Sequence, residues 1–279
     1  MTISSIFFHF IAVYSLFLLV LFFAQRSLIY FPDKTTPSPI NGVEVVSVTT
    51  ADNLQVSGWY FPLKNHDSPT ILFFHGNGGN HGHRYFKAQY FIEAGYNVLL
   101  AGYRGYGGNT GRPSEEGFYS DGRAYTEFLI KEKGIKPENI FLYGESIGSG
   151  TAVQMATEYD VAALILESPF SSLLERAKEQ YFFVPVELLL KDRFLNSNKI
   201  KNINAPLFIV HGNKDGVVPY SSGYNLYNEA LEPKFFKGIP QGNHNDLYEF
   251  EVYKHVLDFI AGITVNNKDN ITSDANEVE

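Results

Sequence analysis

The chain has 279 residues, 44% of them hydrophobic, which is enough apolar material for a large α/β core and excludes a disordered chain. With 30 Asp and Glu against 22 Lys and Arg the net charge is −8, which speaks against nucleic acid as a partner. Cysteine is absent, so disulfides, thiolate catalysis and cysteine-ligated zinc are excluded together.

The first predicted element is the run "IFFHFIAVYSLFLLVLFFA" at 6–24, 19 residues without a charge, close to the ~20 that a helix needs to cross a bilayer. A cleaved signal peptide would require a basic start and small residues at its end. No Lys or Arg precedes the run, and Leu21-Phe22-Phe23 is bulky. The expectation is an uncleaved membrane anchor over 1–25, with Arg26 and Tyr30 at the interface. An extended linker follows over 26–42, carrying the proline-rich "FPDKTTPSPI". On this reading the anchor is a tether, and the remaining domain folds without it. Arg26 and Lys34 after the anchor, with no charge before it, favour a cytoplasmic domain.

Strand-like runs then occur at 43–48 and 54–61, as a hairpin around Ala51-Asp52-Asn53. Further runs follow at 70–75, 96–103, 139–144, 161–167, 206–212 and 234–239. From the third onward they are continuous apolar stretches, as in strands covered on both faces. Helical patterns separate them at about 82–94, 114–133, 147–158, 220–231 and 245–261. A hairpin followed by repeated β-α units predicts a mostly parallel, doubly wound eight-stranded sheet with helices on both faces, one domain over 43–262. The segment 170–205 is too long for a simple connection. It reads either as a small cap over a site or as amphipathic scaffold helices. The polar ending over 263–279 reads as a disordered tail.

The chemistry centres on "YGESIGSG", where Gly144-Glu145-Ser146-Ile147-Gly148 reads G-x-S-x-G between a strand and a helix. The glycines allow a sharp turn, and Gly150 allows tight helix–strand packing. A serine hydroxyl is nearly inert at neutral pH and needs a base that a third group orients. Asp215 lies in the loop after the strand "PLFIVHG", and His244 lies in the loop after the last strand. Both therefore fall at the sheet edge that carries Ser146. Glu167 ends a strand on the same edge and is a rival for the acid. Asp246 is a second rival, read instead as a helix N-cap. Developing negative charge on a substrate oxygen needs amide donors, for which the backbone N–H groups of Ile147 and Asn77 are candidates, the latter in "HGNGGN". His75 is expected to brace that loop. Arg104, in "YRGYGGNTGRP", either binds a substrate carboxylate or holds a structural loop. His81 and His83 have no carboxylate cluster beside them, so no metal is expected, and no cofactor is implied.

Five blocks in order, "HGNGGN", "YRGYGGNTGRPSEEG", "GESIGSG", "HGNKDGVVP" and "GNHNDL", resemble the α/β-hydrolase superfamily over about 43–262. They look specifically like small membrane-anchored serine hydrolases related to protein depalmitoylases. The resemblance implies Ser146 as nucleophile, Asp215 as orienting acid and His244 as base. It implies an acyl ester or thioester substrate, with lipids and lipidated proteins among the candidates, and a lipid bilayer as partner through 6–24. Prolyl-oligopeptidase catalytic domains carry similar blocks, so a serine peptidase is one alternative. A non-catalytic, membrane-tethered binding protein is another. In the ester or thioester reading the apolar stretch 181–190 either lines an acyl-chain slot or is simply core.

Overall fold

The structure, a computed structural model, describes residues 2–63 and 68–276, with side chains described up to Thr264. It opens with α1 (Ile3–Ile29), a single apolar helix long enough to cross a membrane. Strands β1 (Glu44–Thr49), β2 (Gln55–Phe61), β3 (Thr70–Phe74) and β4 (Asn97–Ala101) follow, with α2 (Tyr85–Glu93) between the last two. Next come α3 (Glu115–Glu127), β5 (Ile140–Glu145), α4 (Gly148–Glu158) and β6 (Ala163–Glu167). Three short helices, α5 (Leu173–Gln180), α6 (Val186–Leu189) and α7 (Asn196–Ile200), precede β7 (Leu207–Gly212). The chain ends with α8 (Tyr220–Glu229), β8 (Lys234–Ile239) and α9 (Val252–Asn276).

The eight strands form one sheet in the order β1-β2-β4-β3-β5-β6-β7-β8. Pairings β1–β2 and β2–β4 are antiparallel and the rest are parallel. Alternate residues of a strand feed opposite layers: Ile140 and Leu142 of β5 pack under α3, α4, α7 and α8, while Phe141 and Tyr143 pack under α2 and α9. That two-sided burial is why the central strands are continuous apolar runs. β8, which also reads as a buried strand, is half-exposed in the structure. It is an edge, and its two lysines suit an unpaired side.

Two boundaries differ from the sequence reading. α1 extends beyond the expected anchor and takes Arg26 to Ile29 from the expected linker. Gln25 and Arg26 continue the helix because their side chains find partners on the segment around 189–192. The linker is extended but pinned: Asp33 N–H donates to the Gly79 carbonyl (3.2 Å), and Gly107 N–H donates to the Asp33 carbonyl (2.7 Å). The final helix continues as backbone to Asn276, past residue 263 where a disordered tail is expected. Within 170–205 the two readings divide the segment between them. α7 is scaffold, with Ile200 and the preceding Phe194 in the main core, whereas Leu174, Val184 and Val186 form a separate small layer against Leu18 and Leu21 of α1. Gly150 makes room for the Phe194 ring rather than for a strand.

Arg104 belongs to the scaffold. Its backbone N–H and Nε donate to the buried Asp121 carboxylate at 2.9 and 2.8 Å, and its two terminal nitrogens donate to Asp52 at 2.8 and 3.0 Å. Burial pushes the Asp121 carboxyl up to about 6 even though the Arg104 bonds pull it down. Removing the cation strands that carboxylate. Arg104→Met should therefore destabilise the protein by roughly 3 kcal/mol at pH 8, and adding Asp121→Leu should restore much of the loss. Urea denaturation of the three proteins in one detergent checks both outcomes.

Candidate active site

The parallel strands deliver their loops to one edge of the sheet. At the end of β5 the chain turns through Ser146 with φ of +50°, a left-handed conformation that costs a non-glycine residue on the order of 1–3 kcal/mol. Two backbone bonds hold the turn: Ser146 N–H donates to the Glu167 carbonyl, and Ser149 N–H donates to the Ser146 carbonyl, both at 2.9 Å. Gly148 allows the turn to close, since a Cβ there would run into the Phe74 carbonyl.

Ser146, His244 and Asp215 are brought together. Ser146 Oγ lies 2.9 Å from His244 Nε2, and His244 Nδ1 lies 2.7 Å from Asp215 Oδ2. The second carboxylate oxygen of Asp215 accepts the backbone N–H groups of Val217 and Val218, each at 2.8 Å. Burial pushes this carboxyl up, but bonds from His211 and His244, the His244 charge and the Val218 amide outweigh it and hold it well below the usual range. Asp215 is thus an anion facing Nδ1, which fixes that nitrogen as the donor and leaves Nε2 to accept the serine proton. The two loops are tied together by Asn243 Oδ1, which accepts from Gly216 N–H (3.1 Å) and His244 N–H (2.8 Å). Asp246 does not cap a helix with its side chain. Its carboxylate accepts the Asn243 N–H at 2.6 Å and braces the histidine loop.

The Glu167 side chain takes no part in this chain of bonds. Its two oxygens accept from Lys87 Nζ (2.7 Å) and the Tyr143 hydroxyl (2.6 Å). The adjacent Glu145 forms a two-bond pair with Arg84 at 2.8 and 2.9 Å and lies 3.4 Å from Lys87. Burial pushes the Glu145 carboxyl up, yet the Lys87 and Arg84 charges and the Arg84 bonds bring it far below the ordinary carboxylate range. This buried network supports the strand ends beneath the nucleophile. Sequence reasoning did not find Arg84 and Lys87, and the only signal was two glutamates ending adjacent strands. It also missed His211, whose Nε2 lies 3.3 Å from Asp215 and 2.9 Å from the Val218 carbonyl. Its sole signal is its position four residues before Asp215 at the end of β7.

The loop after β3 carries Asn77. Among the described residues neither the Asn77 nor the Ile147 backbone N–H donates to another protein group. The Asn77 side chain is fully engaged: Nδ2 donates to the Ile29 carbonyl (2.6 Å), and Oδ1 accepts from Phe31 N–H (3.1 Å) and the Tyr106 hydroxyl (2.8 Å). His75 braces the loop as expected, its Nδ1 lying 2.7 Å from the Gly76 carbonyl and its ring against Tyr103 and Tyr106. His81 lies edge-on to Trp59, and His83 lies 3.8 Å from Asp33. In front of Ser146 and His244 opens a mainly apolar cavity of about 800 Å³, whose walls include Phe170, Leu173, Val184 and Leu189.

Comparison with known proteins bears on the family and the fold. The family described as serine aminopeptidase, S33, matches residues 65–194. An uncharacterised protein of Mycobacterium tuberculosis is 38% identical over 227 residues, covering 80% of this chain and 81% of that protein. Human alpha/beta hydrolase domain-containing protein 17B is 30% identical over 235 residues, covering 81% of this chain and 78% of that protein. The structure of a Pyrococcus furiosus esterase superposes with a TM-score of 0.67 at 20% identity, over 83% of this chain and 98% of that one. At that identity the likeness is one of fold.

Two buried histidines tie this edge of the sheet to pH. Burial, with the Arg84 charge, pushes His75 down to about 3, and burial with the His83 charge pushes His81 down to about 4. The folded protein holds both neutral, while the unfolded chain protonates them below about 6.5. Their contribution to stability is complete above that pH and is lost as the pH falls toward about 4 and then 3. The slope approaches at most about 1.4 kcal/mol per pH unit for each histidine. Urea midpoints should fall between pH 6.5 and 5, before most carboxylates titrate, and the His75→Gln/His81→Gln protein should show a flatter profile over that interval.

Proposed function

The chain belongs to the α/β-hydrolase superfamily, and we propose that it is a membrane-anchored serine hydrolase that cleaves acyl esters or thioesters through an acyl-enzyme. The observation that carries this reading is the hydrogen-bonded chain Ser146–His244–Asp215 at the mouth of an apolar cavity. Ser146 Oγ attacks the acyl carbon while its proton moves to His244 Nε2, and the carbonyl π pair becomes an oxyanion. The N–H groups of Ile147 and Asn77 receive that oxyanion, each donor of this type being worth ~3 kcal/mol. Collapse expels the alkoxide or thiolate, which takes the proton from His244. Water then attacks the acyl-enzyme, giving its proton to His244, and Ser146 leaves with that proton as the acid departs. Asp215 holds the imidazole in the required tautomer and offsets its positive charge. No step calls for a cofactor. We place the anchor in a bilayer through 6–24 and the catalytic domain on its cytoplasmic side, from the basic residues after the helix.

A peptidase reading has the family description in its favour. An aminopeptidase, however, requires an anion for the substrate's free amino group. The carboxylate in the cavity wall, Glu145, is already committed to Arg84 and Lys87. A purely binding protein would gain nothing from the strained left-handed serine.

A fluorophosphonate should label the wild-type protein and leave Ser146→Ala unlabelled, both folded by circular dichroism. Equal labelling would end the serine-hydrolase reading. On p-nitrophenyl octanoate, Asp215→Asn should lose turnover by about 10⁴ through the wrong imidazole tautomer, whereas Glu167→Gln, which weakens the supporting charge network but leaves the tautomer untouched, should lose far less. Faster cleavage of an aminoacyl p-nitroanilide than of the octanoate would favour the peptidase.

A further inference from the structure

We propose that the second half of α1 forms one wall of the acyl-chain site, so that the helix that enters the lipid also binds the tail of the substrate. The inference rests on the serine-hydrolase reading and deepens it. Leu21, Phe22, Gln25, Leu28 and Ile29 line the cavity that holds Ser146 and His244, and Val184, Val186 and Leu189 face it from the α5–α6 layer. From Leu21 to Ile29 the helix offers roughly 12 Å of wall, at 1.5 Å per residue, which suits an extended acyl chain of medium length.

The wall is fixed rather than incidental. Gln25 Nε2 donates to the Leu189 carbonyl (3.2 Å) and its Oε1 accepts the Lys191 N–H (2.8 Å). Arg26 forms a two-bond pair with the buried Asp192 at 2.8 and 2.9 Å. Leu18 and Leu21 pack on Leu174 and Val184, and the Tyr14 hydroxyl donates to the Phe183 carbonyl at 2.6 Å. At its end the helix grips the loop of the proposed oxyanion donor, through the bonds from Asn77 to Ile29 and Phe31. A helix that only tethered would need none of these contacts.

The opposite face of α1 presents Leu16, Val20 and Phe23 outward, and the neighbouring layer presents its own exposed apolar side chains, Phe182 (86% exposed) and Leu188 (81% exposed). A surface of this kind is stable against hydrocarbon and not against water. With lipid on the outer face of the helix and the cavity on its inner face, an acyl chain from the bilayer reaches Ser146 by sliding around α1. It never has to cross water.

The test uses the full chain in detergent micelles and a long-chain alkyl fluorophosphonate with a diazirine at the far end of its chain. Ser146 Oγ displaces fluoride from phosphorus and its proton passes to His244, after which light fixes the tail to whatever it touches. Mass spectrometry should find the tail on the peptide containing 18–29, with or without attachment to 174–190. Leu21→Trp should lower the ratio of long-chain to ethyl fluorophosphonate labelling rates by about tenfold, roughly the worth of two buried methylenes. The ratio is taken within one protein, so a shared loss of fold cancels, and the wild-type cross-link decides if the variant does not fold. Tails attached only outside α1, or an unchanged ratio, would overturn the wall while Ser146 labelling leaves the hydrolase reading standing. Failure of both probes to label Ser146 would overturn both.

Discussion

Two carboxylates lie side by side where β5 and β6 end, because the parallel register sets Glu145 opposite Glu167. Both are buried, and like charges in such a place cannot persist without cations. Arg84 and Lys87 supply them from the turn before α2 and from α2 itself, and Lys87 bridges the pair. Much of the site's geometry depends on this arrangement. It locks α2 across the strand ends, fixes the last residue before the serine turn, and leaves the Glu167 carbonyl positioned to accept the Ser146 N–H. The strained φ of Ser146 is therefore sustained by a network of charges directly beneath it. Truncating one member would leave an uncompensated charge in that place.

The same parallel sheet accounts for how residues far apart in the chain meet. β3, β5, β7 and β8 all finish at one edge, so Asn77, Ser146, Asp215 and His244 need only short loops to converge. That convergence was readable before any coordinates, since continuous apolar runs mark the central strands and polar, glycine-bearing loops follow each of them. Asp215 and Glu167 both fall between Ser146 and His244 in the chain, so order did not separate them; the family resemblance favoured Asp215, and the bond to His244 is the physical ground for that preference.

What the chain did not disclose has a common cause. Arg26 looked like the start of a linker because its partner, Asp192, lies 166 residues downstream. Gly150 looked like a strand contact because Phe194, which fills the space beside it, sits in a segment with little regular pattern. His211 carried no motif, since its significance is a distance to Asp215 across a loop. Periodicity reports which face of an element is buried. It does not report against what, and each of these cases turned on the identity of a side chain's partner, distant in the chain for Arg26 and Gly150 and four residues away for His211.

The pinned connection between α1 and the sheet has a consequence for how the protein comes into being. α1 is made first, and the partners of its second half are made late: Leu189, Lys191 and Asp192, then the strands that carry Asp215 and His244. During synthesis, which releases N-terminal segments ahead of C-terminal ones, the helix must wait with its inner face uncovered until residues 189–192 have left the ribosome. Ser146 likewise precedes His244 by 98 positions. In the proposed hydrolase, a nascent chain therefore carries Ser146 for some time without the imidazole that would activate it, and competence arrives only as the last strand joins the sheet.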